Sequence, residues 1–364
     1  MKTRIMFICA GFGGGIGKIV RFVSNICVSE FESVILLHRG RESDNDIPPQ
    51  GVTEIVIPNR QHMPMPVWRC QQIIDIRQNI AQVKPDIICC FGSEMAVMLS
   101  LAMVGKRHLC KVILAERGDP YTLPRIWKIL SRWAFTKADR CVFQLEKQGL
   151  WYGQKVMAKS CVIPNAFIPT GVIPNVKSKQ NKCIVSVGRF VYEKRYEILI
   201  QAFAKVHSKH PDFKLVLYGE GPYRSIYEEL INNLKLNQFI EMPGYTKNSM
   251  SAIKDASVFV LSSLYEGMPN TLIEALAVGI PCVATNCTPG GPDYLTRHGS
   301  AGLLVPIDDV NAMSEAICLI IESPELASEL SRKGKEVVRL LDPNKISNMW
   351  LSLFNDVATA NNNN

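Results

Sequence analysis

The feature that most constrains this chain is a train of short, unbroken apolar runs, separated by stretches with helical spacing. Residues 4–9, 33–38, 53–57, 86–91 and 110–115 predict strands, and residues 17–29, 67–83 and 93–104 predict helices. Unbroken rather than alternating hydrophobicity marks strands covered on both faces, as in a parallel sheet. Repeated strand–helix units of this kind build a doubly wound α/β layer. Around residue 161 the pattern lapses into a segment punctuated by Pro164, Pro169, Gly171 and Pro174, which reads as a linker. A second cycle follows, with strands expected at 183–187, 213–218, 239–242, 258–261 and 281–284 and helices at 196–207, 223–234 and 270–278, before two closing helices. The predicted organisation is a Rossmann-like domain over 1–163, a linker over 164–181, and a second Rossmann-like domain over 182–342. A C-terminal helix over 343–364 is placed to cross back to the first domain, ending in a frayed polar tail at 361–364. Two doubly wound parallel-sheet domains side by side face a cleft, and ligands of such sheets bind beyond the carboxyl ends of the strands.

Composition agrees with this reading and removes several others. A length of 364 residues suits two domains. With 47% hydrophobic and 20% charged residues the chain has apolar material for real cores and is not a disordered one. Lys2 and Arg4 precede an apolar run at 5–10 that is too short for the core of a signal peptide. No run approaches the roughly 18 apolar residues that a membrane span needs, so the expected location is cytoplasmic. The twelve cysteines contain no C-x-x-C pair, and Cys9, Cys141, Cys183 and Cys282 lie inside apolar runs. They read as buried free thiols, not as a zinc site or a disulfide framework. Charge is unevenly placed: residues 1–170 hold 22 Lys+Arg against 13 Asp+Glu, which accounts for the whole net charge of +8 and leaves the rest near neutral. A basic first half implies an anionic partner on that side, either a membrane surface or a nucleic acid.

Three segments of the second half carry chemistry. In VSVGRFVYEKR a strand ends at Gly188, and Arg189 and Lys194 follow. Arg offers a bidentate fork and Lys a point charge, a pair suited to a diphosphate, although a solvated charged turn looks the same in sequence. In SSLYEGMPNTLIEALAVGIPCVAT, Glu266 and Gly267 lie in a loop, Pro269 suits a first helical turn, and Glu274 lies one turn into the helix. Free N–H groups of Asn270, Thr271 and Leu272 would bind a phosphate, and Glu274 could accept both hydroxyls of a ribose. The competing reading is that Glu274 complements the helix dipole. In VLYGEGP, Gly219 and Gly221 form a tight turn that lets backbone approach a ligand. Tyr245, in MPGYTKNSM, is placed to offer backbone groups to a base edge.

These segments resemble retaining glycosyltransferase family 4, whose fold is GT-B, over residues 180–340. The resemblance implies that Arg189 and Lys194 neutralise the donor diphosphate, that Glu274 binds the ribose, and that Glu266 approaches the donor sugar. CTPGGPDYL at 287–295 is similar to the subgroup that extends polyprenyl-diphosphate-linked oligosaccharides, capsule or O-antigen. It implies a nucleotide-sugar donor, with uridine diphosphate sugars preferred, and a lipid-linked or glycan acceptor.

In the first half, CAGFGGGIGKIVRF fits neither a Walker A loop nor a dinucleotide fingerprint, because Phe12 and Ile19 occupy required positions and no G-x-G-x-x-G register exists. The second strand ends in His38 and Arg39, without an acidic ribose ligand. These absences weigh against an NAD-dependent dehydrogenase. The family resemblance instead implies that Gly14 and Gly15 face the donor diphosphate, with tight strand–helix packing as the alternative. Glu116, Arg117 and Asp119 follow the fifth strand, in a run similar to an ERNDP segment of polyprenyl-linked members with Gly118 in place of the Asn. Some relatives carry a histidine there; His108 falls before the strand, so Asp119 is the expected catalytic helper. Arg125, Lys128, Arg132 and Lys137 interleave with Trp127, Trp133 and aliphatic residues. That helix suits the inner face of an anionic membrane, or an ordinary amphipathic surface; no nucleic-acid motif is present. No aspartate-rich metal motif appears either, so neither metal nor resident cofactor is expected. A non-catalytic sugar-nucleotide-binding protein is the remaining alternative.

Overall fold

The computed structural model describes residues 3–40, 46–58, 60, 63–106, 110–169 and 181–362. His108, the linker positions Gly171 and Pro174, and Asn363 and Asn364 lie outside the described residues. Contacts divide the chain into two compact units, Met1–Ala166 with Pro343–Asn364, and Phe167–Asp342.

The first unit is built on a seven-stranded sheet of β1 (Arg4–Cys9), β2 (Ser33–His38), β3 (Val52–Val56), β4 (Ile87–Phe91), β5 (Lys111–Ala115), β6 (Arg140–Phe143) and β7 (Ser160–Val162). The spatial order is β3-β2-β1-β4-β5-β6-β7. All pairings are parallel, with Phe7 opposite Leu36 on one side and Cys89 on the other. The unbroken apolar runs become the central strands, and β4 is buried at every position. β6 was marked only by the apolar run around Cys141, and β7 was not expected. β7 has only three residues, partly or fully exposed at the sheet edge, so it lacks the apolar run that revealed the others.

The second unit carries six parallel strands: β8 (Asn181–Val187), β9 (Lys214–Tyr218), β10 (Ile240–Gly244), β11 (Ala256–Leu261), β12 (Cys282–Thr285) and β13 (Leu303–Val305). Their order is β10-β9-β8-β11-β12-β13, and a core of Leu199, Phe203, Leu215, Val258 and Val283 surrounds them. β13, again three residues, was also missed. Both orders reverse direction beside the first strand of the sheet, as doubly wound folds require.

The chain closes with three long helices, Val310–Glu322, Pro324–Arg339 and Pro343–Asn362, not two. Capping separates the first pair: the Ser323 hydroxyl accepts from the Leu326 N–H, and Pro324 opens the next helix. The last helix runs on to Asn362, further than a polar tail predicts. It buries Ile346, Trp350, Leu353, Phe354 and Val357 in the core of the first unit, among Ile5, Phe7 and Phe91. Trp350 stacks on Phe354 at 5.6 Å, and Phe354 meets Phe7 edge-on at 5.9 Å.

Candidate functional site

Parallel strands deliver their following loops to one edge, and in the second unit three such loops meet. Behind β8 the chain turns through Gly188, Arg189 and a short 3-10 turn over Tyr192–Lys194. Behind β11 it passes Ser262 and Ser263 to Glu266 and Gly267, and Pro269 takes the N-cap position of helix Asn270–Val278, one residue ahead of the first turn in which it was expected. The two loops are stitched together. Leu264 N–H donates to the Glu193 carbonyl at 2.8 Å, and the Ser262 hydroxyl donates to the Lys194 carbonyl at 2.7 Å.

This stitching places Lys194 Nζ on Glu266 Oε1 as an ion pair, with both side chains more than four-fifths covered. The buried Ser263 hydroxyl donates to the same carboxylate oxygen at 2.9 Å. Lys194 also lies across Gly188: a Cβ there would sit 3.4 Å from Lys194 Cε and 2.8 Å from Tyr196 Oη. Burial pushes the Tyr196 phenol well up, so that hydroxyl stays neutral. Arg189 behaves differently. Its side chain is 76% exposed and pairs with Glu193 at 3.4 Å. Arg189 is thus adjacent to Lys194 in the loop without sharing its partner.

Glu274 is buried, and its Oε2 accepts from the Ser249 hydroxyl. Ser249 opens the helical turn Ser249–Ile253, whose cap Asn248 accepts from the Ser251 N–H at 3.0 Å. The helix carrying Glu274 has no side-chain cap. Leu272 N–H already donates to the Pro269 carbonyl at 3.2 Å, which corrects the expectation that it is free. Asn270 and Thr271 keep the first-turn N–H groups that an anion would need.

The glycines serve loop packing. Gly219 and Gly221 have φ of +155° and +154°, and a Cβ would meet the Gly188 carbonyl oxygen at 1.9 Å and the Phe190 carbonyl oxygen at 2.4 Å. Both glycines therefore let the loop after β9 lie against the loop after β8. Gly267 backs onto Gly291, whose Cβ would lie 1.6 Å from the Gly267 carbonyl oxygen, so CTPGGPDYL braces the Glu266 loop. Glu266 N–H donates to the Thr288 carbonyl at 2.8 Å within that brace. Tyr245 follows β10 with 76% of its surface exposed.

The first unit departs further from expectation. Gly14 and Gly15 lie in the opening turn of helix Gly14–Cys27, not in a loop before it, and Gly14 has φ of +54°. A Cβ on Gly17 would come within 2.9 Å of the Phe12 carbonyl carbon, so this run provides close strand–helix packing. Asp119 caps a 3-10 turn, its carboxylate accepting from Tyr121 N–H at 2.9 Å. The buried acid here is Glu116, which accepts from the Tyr152 hydroxyl at 2.6 Å, from the Ser93 hydroxyl, and from the N–H groups of Arg117 and Gly118 at 2.9 Å each. Four donors saturate it as a structural carboxylate. Arg117 packs over Trp350, and burial lowers it to about 10. In helix Arg125–Lys137, Trp127 and Trp133 pack against the core, while Ile126 and Ile129 are the exposed apolar residues. Arg125 and Arg132 are exposed with them. None of the twelve cysteines forms a disulfide, and only Cys70 is exposed.

Sequence reasoning missed Ser249, Ser262 and Ser263, the hydroxyls that hold Glu274, the Lys194 loop and Glu266. No spacing rule could find them, because each acts across 25 or 68 residues, or is an unremarkable neighbour in its own loop.

Residues 173–337 match the family of glycosyl transferases group 1. An exopolysaccharide phosphotransferase, SCO2592 of Streptomyces coelicolor, is 33% identical over 225 residues, covering 61% of this chain and 24% of that protein. That match spans about a quarter of the relative's own length. A Campylobacter jejuni alpha-1,4-N-acetyl-D-galactosaminyltransferase acting on a diNAcBac-PP-undecaprenol-linked glycan is 20% identical, over 99% of this chain and 100% of that protein. Among solved structures, Anabaena Alr3699/HepE in complex with UDP superposes with a TM-score of 0.78 at 15% identity, over 97% of this chain and 100% of that one. The likeness shows the two-sheet GT-B fold.

Proposed function

The second unit of this chain carries a group 1 glycosyltransferase domain, and from that premise we propose that the chain is a retaining, metal-independent glycosyltransferase. In this reading it moves a hexose or N-acetylhexosamine from a nucleotide-diphosphate donor, preferably a UDP-sugar, to a polyprenyl-diphosphate-linked or growing surface-polysaccharide acceptor. The chain needs no resident cofactor, because the donor arrives as a co-substrate. The single observation that carries the reading is the Lys194–Glu266 pair lying over Gly188 at the carboxyl ends of β8 and β11. It sets a cation beside an acid in the loop that leads to the uncapped helix bearing Glu274.

The chemistry demands that negative charge growing on the departing diphosphate be met by groups already in place. Lys194 is held for this by Ser262 and Glu266, while Arg189, free to swing from the solvent, closes on the diphosphate when donor binds. The N–H groups of Asn270 and Thr271 take a phosphate oxygen. Glu274, oriented by the Ser249 hydroxyl, accepts the ribose hydroxyls, and Glu266 orients the sugar. Retention of anomeric configuration and the UDP preference rest on the family resemblance. The UDP bound to Alr3699/HepE and the undecaprenol-linked substrate of the Campylobacter relative support the classes of donor and acceptor.

The first unit takes the acceptor in this reading, at the inner face of the cell membrane. Ile126 and Ile129 with Arg125 and Arg132 supply an apolar and basic face for the lipid surface. Among the described residues no helix is long and apolar enough to cross a membrane. The test is a panel of nucleotide sugars read by thermal shift and by nucleotide release. A true donor at 100 times its Kd adds about 2.7 kcal/mol to stability. A panel in which no nucleotide sugar shifts the transition or is turned over, against a responsive nicotinamide cofactor, would reject the assignment.

A further inference from the structure

The transfer residues leave one cluster of chemically able side chains unused. His210 follows directly on helix Tyr196–Lys209, and Cys318 and Glu322 lie one turn apart on helix Val310–Glu322. The two helices share one core, in which Phe203 and Val206 accompany Met313, Ile317 and Cys318. His210 is held at both sides, its N–H donating to the Val206 carbonyl at 2.8 Å and its carbonyl accepting from Phe213 N–H at 3.1 Å. Its imidazole Nε2 lies 3.0 Å from Glu322 Oε1. The Cys318 sulfur completes a group whose ligand atoms all lie within 4.8 Å of one another.

We propose that His210, Cys318 and Glu322 bind one borderline transition-metal dication of the zinc class, clamping the ends of these two helices together. An imidazole nitrogen, a thiolate and a carboxylate oxygen are the donor set that such an ion selects over magnesium or calcium. Tetrahedral bonding at ordinary zinc–ligand lengths sets the donor atoms about 3.3–3.6 Å apart, so closure needs only side-chain movement of roughly 1 Å. A plain His210–Glu322 ion pair would explain two of the three residues but not the sulfur set beside them, which makes no hydrogen bond among the described residues. Binding replaces the S–H bond by a metal–sulfur bond and releases that proton to solvent, with no change of oxidation state. Glu322 is more than half exposed, so water fills the fourth position.

The location argues for a structural role. Helix Tyr196–Lys209 starts beyond the carboxyl end of β8 and finishes just before β9 begins, so His210 lies at the edge of the sheet opposite to Lys194 and Glu266. The sequence gives no hint of this cluster, because His210 and Cys318 are far apart and only the Cys–Glu spacing is regular.

The test is cobalt substitution in the full chain after removal of bound metal with a chelator. One equivalent of Co²⁺ is expected to produce a thiolate-to-cobalt charge-transfer band that Zn²⁺ bleaches by displacement. Cys318→Ser removes the band, and His210→Asn and Glu322→Gln each weaken Zn²⁺ binding at least about tenfold in proteins whose circular dichroism shows that they are folded. No band, or a band of wild-type intensity and affinity in the folded His210→Asn and Glu322→Gln proteins, would overturn the proposal.

Discussion

Replacing Lys194 by Met, which keeps the chain length and removes the charge, separates a catalytic from a structural meaning of its pair with Glu266. Both side chains are only 17% and 16% exposed, so the pair falls between a surface bridge and a buried one. Surface bridges contribute up to about 1 kcal/mol, and breaking a fully buried one costs about 3–5 kcal/mol. Glu266 keeps the Ser263 hydroxyl after the change, which moderates the loss, so about 2–3 kcal/mol is expected. For a unit of this size, each kcal/mol lowers the transition by about 2–4 °C, hence a fall of about 4–12 °C by calorimetry. Glu266→Gln alone should cost less, and the double variant should recover part of the loss by a coupling term of about 0.5–3 kcal/mol. Turnover should behave otherwise. If Lys194 meets charge on the departing diphosphate, nucleotide release drops by about 10²–10³-fold in Lys194→Met and does not recover in the double variant. The assay is single-turnover donor hydrolysis, run below the shifted transition. Turnover within about threefold of wild type in a Lys194→Met protein whose transition has fallen would refute the reasoning, leaving the pair as a latch between two loops.

Two further outcomes follow from the geometry. Ser249→Ala should raise the donor KM by about threefold to tenfold, with kcat nearly unchanged, because it frees Glu274 from the hydroxyl that orients it; steady-state kinetics with an unchanged KM would show that Ser249 is not an aligning group. Flotation with anionic vesicles should recover the protein at low salt and lose it towards 1 M, where the screening length falls to about 3 Å, and Arg125→Ser with Arg132→Ser should weaken that binding; equal recovery on neutral vesicles would exclude charge as its basis.

The sequence revealed what buries continuously and hid what depends on distant partners. β1, β4 and β11 could be read from unbroken apolar runs at 5–9, 87–91 and 258–261, whereas β7 and β13 are three residues long and borrow their strand geometry from longer neighbours. Gly14 and Gly15 read as loop because glycine disfavours a helix interior, yet the Gly17 N–H already donates to the Gly13 carbonyl at 2.7 Å and the helix begins at Gly14. At the site, residue types and strand-end positions were legible for Lys194, Glu266 and Glu274. Their actual partners were not: nothing local to Glu274 announces Ser249, 25 residues away.

The return of the last helix to the first unit has a consequence for how the molecule is made. The faces of Phe7 and Phe91 that Trp350 and Phe354 cover are synthesised early, but their cover leaves the ribosome only after the whole second unit. At about 5–20 residues per second, an intervening length of about 180 residues leaves an aromatic surface uncovered for roughly 10–35 s. During that interval the second unit, contiguous in the chain, is free to fold by itself. The nascent first unit is then the species most in need of a chaperone, and slower translation after residue 166 would lengthen its exposure.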